Sequence, residues 1–198
     1  MTLFFKKKFF ILFCNVLLGL TLSLAFDPYN IPFVSLLVTG LFFLLNDKIY
    51  IYHQDNYKLI FLTGLLFGFS FFFSSMYWLA NAVLIYDNIN YLLPFVLIGL
   101  PVLLGCFYGL MQILNLFLWT NNVWRIFYFA AVWTLFELVR SVIFTGLPWN
   151  ILAYSWSWSI YIMQSISVFG VYGLCFITTL IAGGLFNFRF QKINIYIF

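Results

Sequence analysis

The chain has 198 residues, 65% of them hydrophobic and only 7% charged, with a mean hydropathy of +1.07. Soluble domains carry roughly 25% charged residues. This composition therefore excludes a soluble fold and points to an all-α polytopic membrane protein, because helices satisfy their backbone groups internally and no strand-like alternation suggests a barrel.

The formal net charge of +4 does not indicate a nucleic-acid partner, since the basic residues are dispersed at segment ends, as orientation signals are. The 24% aromatic content, with 28 Phe, reads as compositional bias that a lipid environment tolerates.

Six apolar stretches are long enough to cross a bilayer, at 9–26, 28–45, 59–79, 91–118, 126–144 and 160–188. The first follows Lys6, Lys7 and Lys8 and imitates a signal peptide, with Ser23 and Ala25 as cleavage-site residues. Its apolar run is long for that role, so the reading keeps it as a span. Cys14 follows a bulky Phe13, which does not suit lipidation. The loop after the second stretch holds Asp47, His53 and Asp55, and His53 has no serine or cysteine partner in the sequence. The third and fourth stretches carry Gly64/Gly68 and Gly105/Gly109, spacings that let helices approach closely, and Ser70, Ser74 and Ser75 extend that small-residue face.

The fifth stretch contains Glu137 and Arg140, and the segment after it reads Gly146, Leu147, Pro148, Trp149, then Tyr154, Trp156 and Trp158. Pro148 and Gly146 end the helix, and the aromatic residues suit an interfacial or re-entrant segment. After the sixth stretch, 192–198 looks like the start of a seventh apolar helix, which gives the expectation of a truncated product.

The Lys and Arg residues set the orientation. Lys6, Lys7, Lys8, Lys48, Lys58, Arg125, Arg189 and Lys192 all fall on one side of this layout, leaving Arg140 alone elsewhere. The positive-inside rule makes that side cytoplasmic, with both termini inside, in one transmembrane domain over 1–198.

Glu137 and Arg140 are three apart and share a helix face. Counted from Arg125, they lie about 18 Å and 22 Å along the helix, in the outer half of the hydrocarbon core. Two roles remain open: a site that grips an anionic head group or positions a partner domain, and an ion pair that locks this helix against its neighbours.

Catalytic groupings are sparse. Cys14, Cys106 and Cys175 sit alone in apolar runs, with no metal-ligand spacing and no neighbouring base, so neither a metal nor any other cofactor is expected.

The blocks "LAFDPYN" (24–30), "GFSFFFSSMYWL" (68–79), "FELVRSVIFTGLPWNILAYS" (136–155) and "IMQSISVFGVYGLCFI" (162–177) resemble, in order and spacing, the membrane half of bacterial apolipoprotein N-acyltransferases. The resemblance implies a multi-pass enzyme of the bacterial inner membrane that moves an acyl chain from a phospholipid to the N-terminal amine of a diacylated lipoprotein, through a thioester. It also implies a periplasmic nitrilase-like domain with a catalytic Glu, Lys and Cys, inserted after a seventh span. No residue here matches that triad, Cys175 included, and no catalytic residue is assigned.

The expectation is a membrane half that is inactive alone, with membrane phospholipid, a separately encoded nitrilase-like domain and a lipoprotein substrate as partners. The alternative is an independent lipid-binding or transport protein. Glu137, Arg140, Pro148, Trp149 and Tyr154 are the structural or lipid-contact candidates, and Gly64, Gly68, Gly105 and Gly109 the packing positions.

Overall fold

A computed structural model describes residues 8–85, 87–143, 146 and 148–195, with backbone only for 87 and 188–195. Lys6, Lys7, Phe144, Leu147 and the last residues of the expected seventh helix lie outside these. The described chain is helical: α1 (Lys8–Leu22), α2 (Val34–His53), α3 (Tyr57–Ser75), the short α4 (Leu79–Leu84), α5 (Leu100–Phe117), α6 (Trp124–Val142), the short α7 (Ile160–Gln164) and α8 (Ile166–Ile195). A 3-10 turn at Asp87–Leu92 and a π-helical turn at Phe95–Gly99 lead into α5.

The long helices close into a ring in which each packs on the next: α1 on α3, α3 on α5, α5 on α6, α6 on α8, α8 on α2 and α2 back on α1. The ring is filled by aromatic side chains. Trp133 sits at its centre, fully buried, with ring centroids 5.4 Å from Tyr108, 5.7 Å from Phe129, 5.9 Å from Phe42 and 6.1 Å from Phe67. These pairs are mostly edge-to-face, the arrangement that the ring quadrupole favours.

Five of the described helical segments are long and apolar enough to cross a membrane: Lys8–Ala25, Val34–His53, Tyr57–Ser75, Asn88–Phe117 and Ile166–Asn187. Helix α6 has 19 residues, about 28 Å at 1.5 Å per residue. That length also suits a crossing, but Arg125, Glu137 and Arg140 lower its apolarity. All three charges face inward and are buried.

Two expected boundaries differ from the structure. The second stretch, expected at 28–45, forms a helix only from Val34 to His53. Pro28 and Pro32 lack amide hydrogens, and the chain turns here, with Asn30 and Phe33 at positive φ and Phe26 O accepting from the amides of Tyr29 and Asn30. At its other end the helix continues through Asn46 and Asp47 because both are buried in the bundle.

The stretch expected as one span at 160–188 is broken after Gln164 and again at Gly170, whose φ of 70° and ψ of 169° are non-helical. A glycine adopts that conformation without the steric penalty other residues meet.

The two glycine pairs meet each other across the α3–α5 seam. A methyl on Gly64 would run into the Tyr108 carbonyl oxygen, and one on Gly105 would approach the Leu65 carbonyl oxygen to 2.8 Å. Gly68 faces the Gly105 Cα, and Gly109 lies under the Phe61 ring. The absence of side chains thus sets the distance between these helices.

Gly64→Val is expected to destabilise the bundle by about 1–3 kcal/mol through overpacking against backbone that has no room to move. Gly184→Ala, where nothing lies within 4 Å, is the matched control and should change little. Thermal unfolding in detergent compares the two; equal effects would contradict the seam.

Candidate functional site

At one end of the ring, α6 ends at Val142, and the following segment turns back over the bundle through Gly146 (φ 83°) and Asn150 (φ 53°). The i, i+3 spacing puts Glu137 and Arg140 on the inward face of α6, where both are almost fully buried, at 3% and 2% exposure. The Arg140 guanidinium donates from Nη2 to Glu137 Oε2 and from Nη1 to the Trp149 carbonyl oxygen at 2.8 Å. It also lies over the Phe72 ring, 5.2 Å from its centroid. Tyr108 on α5 donates its hydroxyl to Glu137 Oε1 at 3.1 Å.

This cluster joins α3, α5 and α6 to the segment that follows α6. In a medium of low dielectric, a charge-assisted pair with further hydrogen bonds offsets much of the desolvation that each charge would otherwise suffer. Arg140 is directed at protein groups, and its burial leaves little surface for an outside anion.

The segment at 146–159 is anchored at several other points. Trp156 is buried and donates its indole N–H to Thr178 Oγ1 of α8 at 2.8 Å. Ser157 donates to Asn30 Oδ1 at 2.9 Å, tying the segment to the turn after α1. Phe33 from the same turn meets Trp158, with centroids 5.3 Å apart. Trp78 and Trp149 stack obliquely at 5.5 Å.

Between these pieces lies a cleft of about 450 Å³, lined by Phe26, Met76, Trp78, Trp149, Tyr154 and Met163, with Asp27 and Asn150 at its polar edge. Ser75 and Ser157 add to that polar edge, so the cleft combines a mainly aromatic and apolar wall with several polar groups, as small-molecule sites do. Of the sequence candidates, Trp149 and Tyr154 line this cleft, Glu137 and Arg140 form the brace behind it, and Pro148 is exposed beside Trp149.

At the opposite end is a second buried ion pair that the sequence reading treated as separate loop charges. Arg125 at the start of α6 donates from Nη1 to Asp47 Oδ1 of α2 at 3.0 Å, and from Nη2 to Asn187 Oδ1 of α8. Its guanidinium lies 5.6 Å from the Trp119 ring centroid. One hint was available in the sequence: Asp47 falls one helical turn after Phe43 and one before Tyr50, both core residues, so a helix running on past residue 45 places it inward.

His53 ends α2 in an open hollow with Asp55 and Lys58. No group of His, Cys, Asp and Glu suited to a metal ion occurs among the described residues. Cys175 is buried, and Cys14 and Cys106 are partly so.

Fold and site together define a polytopic helical membrane protein with an ion-paired interior and an aromatic cleft at one end. The sequence profile of the apolipoprotein N-acyltransferase N-terminal domain matches residues 18–184, and the chain belongs to that family.

The apolipoprotein N-acyltransferase of Rickettsia typhi is 34% identical over 183 residues, 90% of this chain and 36% of the relative. That of Rickettsia prowazekii is 35% identical over 185 residues, 91% of this chain and 36% of the relative. The Rickettsia bellii protein is 40% identical over 126 residues, 63% of this chain and 25% of the relative. The chain thus spans about a third of the length, or less, of the relatives it matches.

Proposed function

We propose that this chain serves as the membrane-embedded part of a lipoprotein N-acylation system in the bacterial inner membrane, and that the aromatic cleft beside Trp149 is where the acyl chain of a phospholipid enters. The observation that carries the reading is the double attachment of Arg140. By holding both Glu137 and the Trp149 carbonyl, it fixes one wall of the cleft to α6.

In this reading α6 is a sixth crossing and the cleft opens on the periplasmic side, so Glu137 and Arg140 are positioning residues and the cleft aromatics contact lipid. In this reading the thioester chemistry that the family resemblance implies is assigned to a nitrilase-like Glu-Lys-Cys domain.

Two expected results test this together. The 198-residue chain, purified into lipid nanodiscs, should transfer no acyl group to a diacylated lipopeptide. A chimera in which its residues 18–184 replace the matching region of the Rickettsia typhi relative should transfer it, and Trp149→Ala should raise the apparent KM for phospholipid in that chimera. A folded but inactive chimera, or activity in the chain alone, would overturn the proposal.

A further inference from the structure

We infer that the crevice between α5 and α6 beside the ion pair is a binding site for one ordered water molecule, held by the Trp133 indole N–H and the Glu137 carboxylate. The inference rests on the geometry of the crevice and is independent of the acyl-transfer reading.

The crevice is walled by Phe107, Met111 and Phe136 and holds about 10 Å³ of free space. That is close to the least a single water requires, and a water also needs two to four polar partners. Tyr108, Trp133, Glu137 and Arg140 complete the lining and supply them.

Two of these partners have unused hydrogen-bonding capacity. Trp133 is fully buried, and its Nε1 has no hydrogen-bond partner in the structure. A buried N–H in a medium without bulk water is costly when left unmade. The Glu137 carboxylate accepts from Tyr108 and Arg140, whereas two carboxylate oxygens offer about four acceptor positions.

A water in the crevice accepts from Trp133 and donates to Glu137, so one molecule satisfies both. The free space is too small for an alkyl chain, and a cation there would face the Arg140 guanidinium. Water is therefore the ligand that fits by size, polarity and charge.

X-ray radiolytic footprinting of the full chain in nanodiscs tests the site, because hydroxyl radicals generated from a bound water oxidise the side chains that touch it. After correction for intrinsic reactivity, Tyr108 and Trp133 should be oxidised severalfold more than Phe42 and Phe67, which are fully buried but do not line the crevice. On brief mixing into oxygen-18 water the oxidised products should still carry oxygen-16, because a held water exchanges slowly.

In Trp133→Phe, oxidation of Tyr108 should fall while that of Tyr50 stays constant. Labelling of Tyr108 and Trp133 at the level of the two phenylalanines would overturn the proposal, as would immediate uptake of oxygen-18. An unchanged Tyr108 signal in a folded Trp133→Phe would overturn it too. The wild-type measurement decides alone if that variant does not fold.

Discussion

Arg140→Ala is expected to destabilise the folded bundle by about 3–5 kcal/mol, the cost of leaving a buried partner charge uncompensated. Glu137, 3% exposed, then keeps the hydrogen bond from Tyr108 but loses its ion pair. The Trp149 carbonyl loses its donor in the same step, so the segment beyond α6 loosens as well.

The asymmetry of buried pairs gives a sharper form of the prediction. Replacing both partners by apolar residues of similar volume, as in Glu137→Leu with Arg140→Met, removes both charges together and should recover much of the lost stability. Unfolding in a detergent series measures the cycle. A double variant as unstable as the sum of the single ones would show that the two side chains do not act as a pair. The recovered variant should still be impaired in anchoring Trp149, because methionine cannot donate to its carbonyl.

Arg125→Ala should cost a similar amount, about 3–5 kcal/mol, at the other end of the molecule. Here the charge left behind is Asp47, with side-chain exposures of 10% for Arg125 and 8% for Asp47 in the intact pair. The loss separates three helices, since Arg125 also holds Asn187 of α8 and covers Trp119.

Arg125→Lys keeps the charge but replaces a planar fork of donors with a single ammonium. It should therefore fall between wild type and alanine, and thermal unfolding of the three proteins in one detergent orders them. If Arg125→Ala melts with the wild type, the contact is a solvated surface pair worth little.

The two ion pairs show what a single sequence reveals and what it hides. Glu137 and Arg140 were legible as a pair because helical geometry alone brings residues three apart onto one face. Only their further partners, Tyr108 and the Trp149 carbonyl, needed the fold. Asp47, Arg125 and Asn187 are separated by 78 and 62 positions, and nothing local links them. Arg125 was read as an orientation signal and Asp47 as a loop residue, and Asn187 drew no reading at all.

The same limit applied to Tyr50, whose hydroxyl reaches Gln112 on α5. It applied also to Trp156, which the interfacial pattern assigned to anchoring. The structure buries that indole and bonds it to Thr178. Trp78, Trp149 and Trp158 remain substantially exposed, as interfacial residues are.

Helix existence was legible from hydropathy, but helix boundaries were not always. Apolar runs do not mark where a turn delays the start of α2, nor where a buried Asp47 carries it onward. Gly170 gave no distinctive signal, because a glycine inside an apolar run is common in membrane helices. The glycine pairs were legible as packing positions. Their mutual contact across α3 and α5 followed from the order of helices in the ring, which sequence spacing does not specify. The cleft was the least legible feature, since its lining comes from four separate stretches brought together at one end.

The account rests on α6 crossing the membrane with its ion pair inside the bundle and delivering the Trp149 segment to the periplasmic side. Single cysteines test this most directly. Ser157→Cys and Asn122→Cys are introduced separately into a chain whose Cys14, Cys106 and Cys175 are replaced by alanine. Both positions are exposed, one in the segment after α6 and one just before α6. With a membrane-impermeant maleimide on intact spheroplasts, the cysteine at 157 should label at once and the cysteine at 122 only after permeabilisation. Labelling of both from outside, or the reverse order, would contradict the crossing and the periplasmic cleft that depends on it.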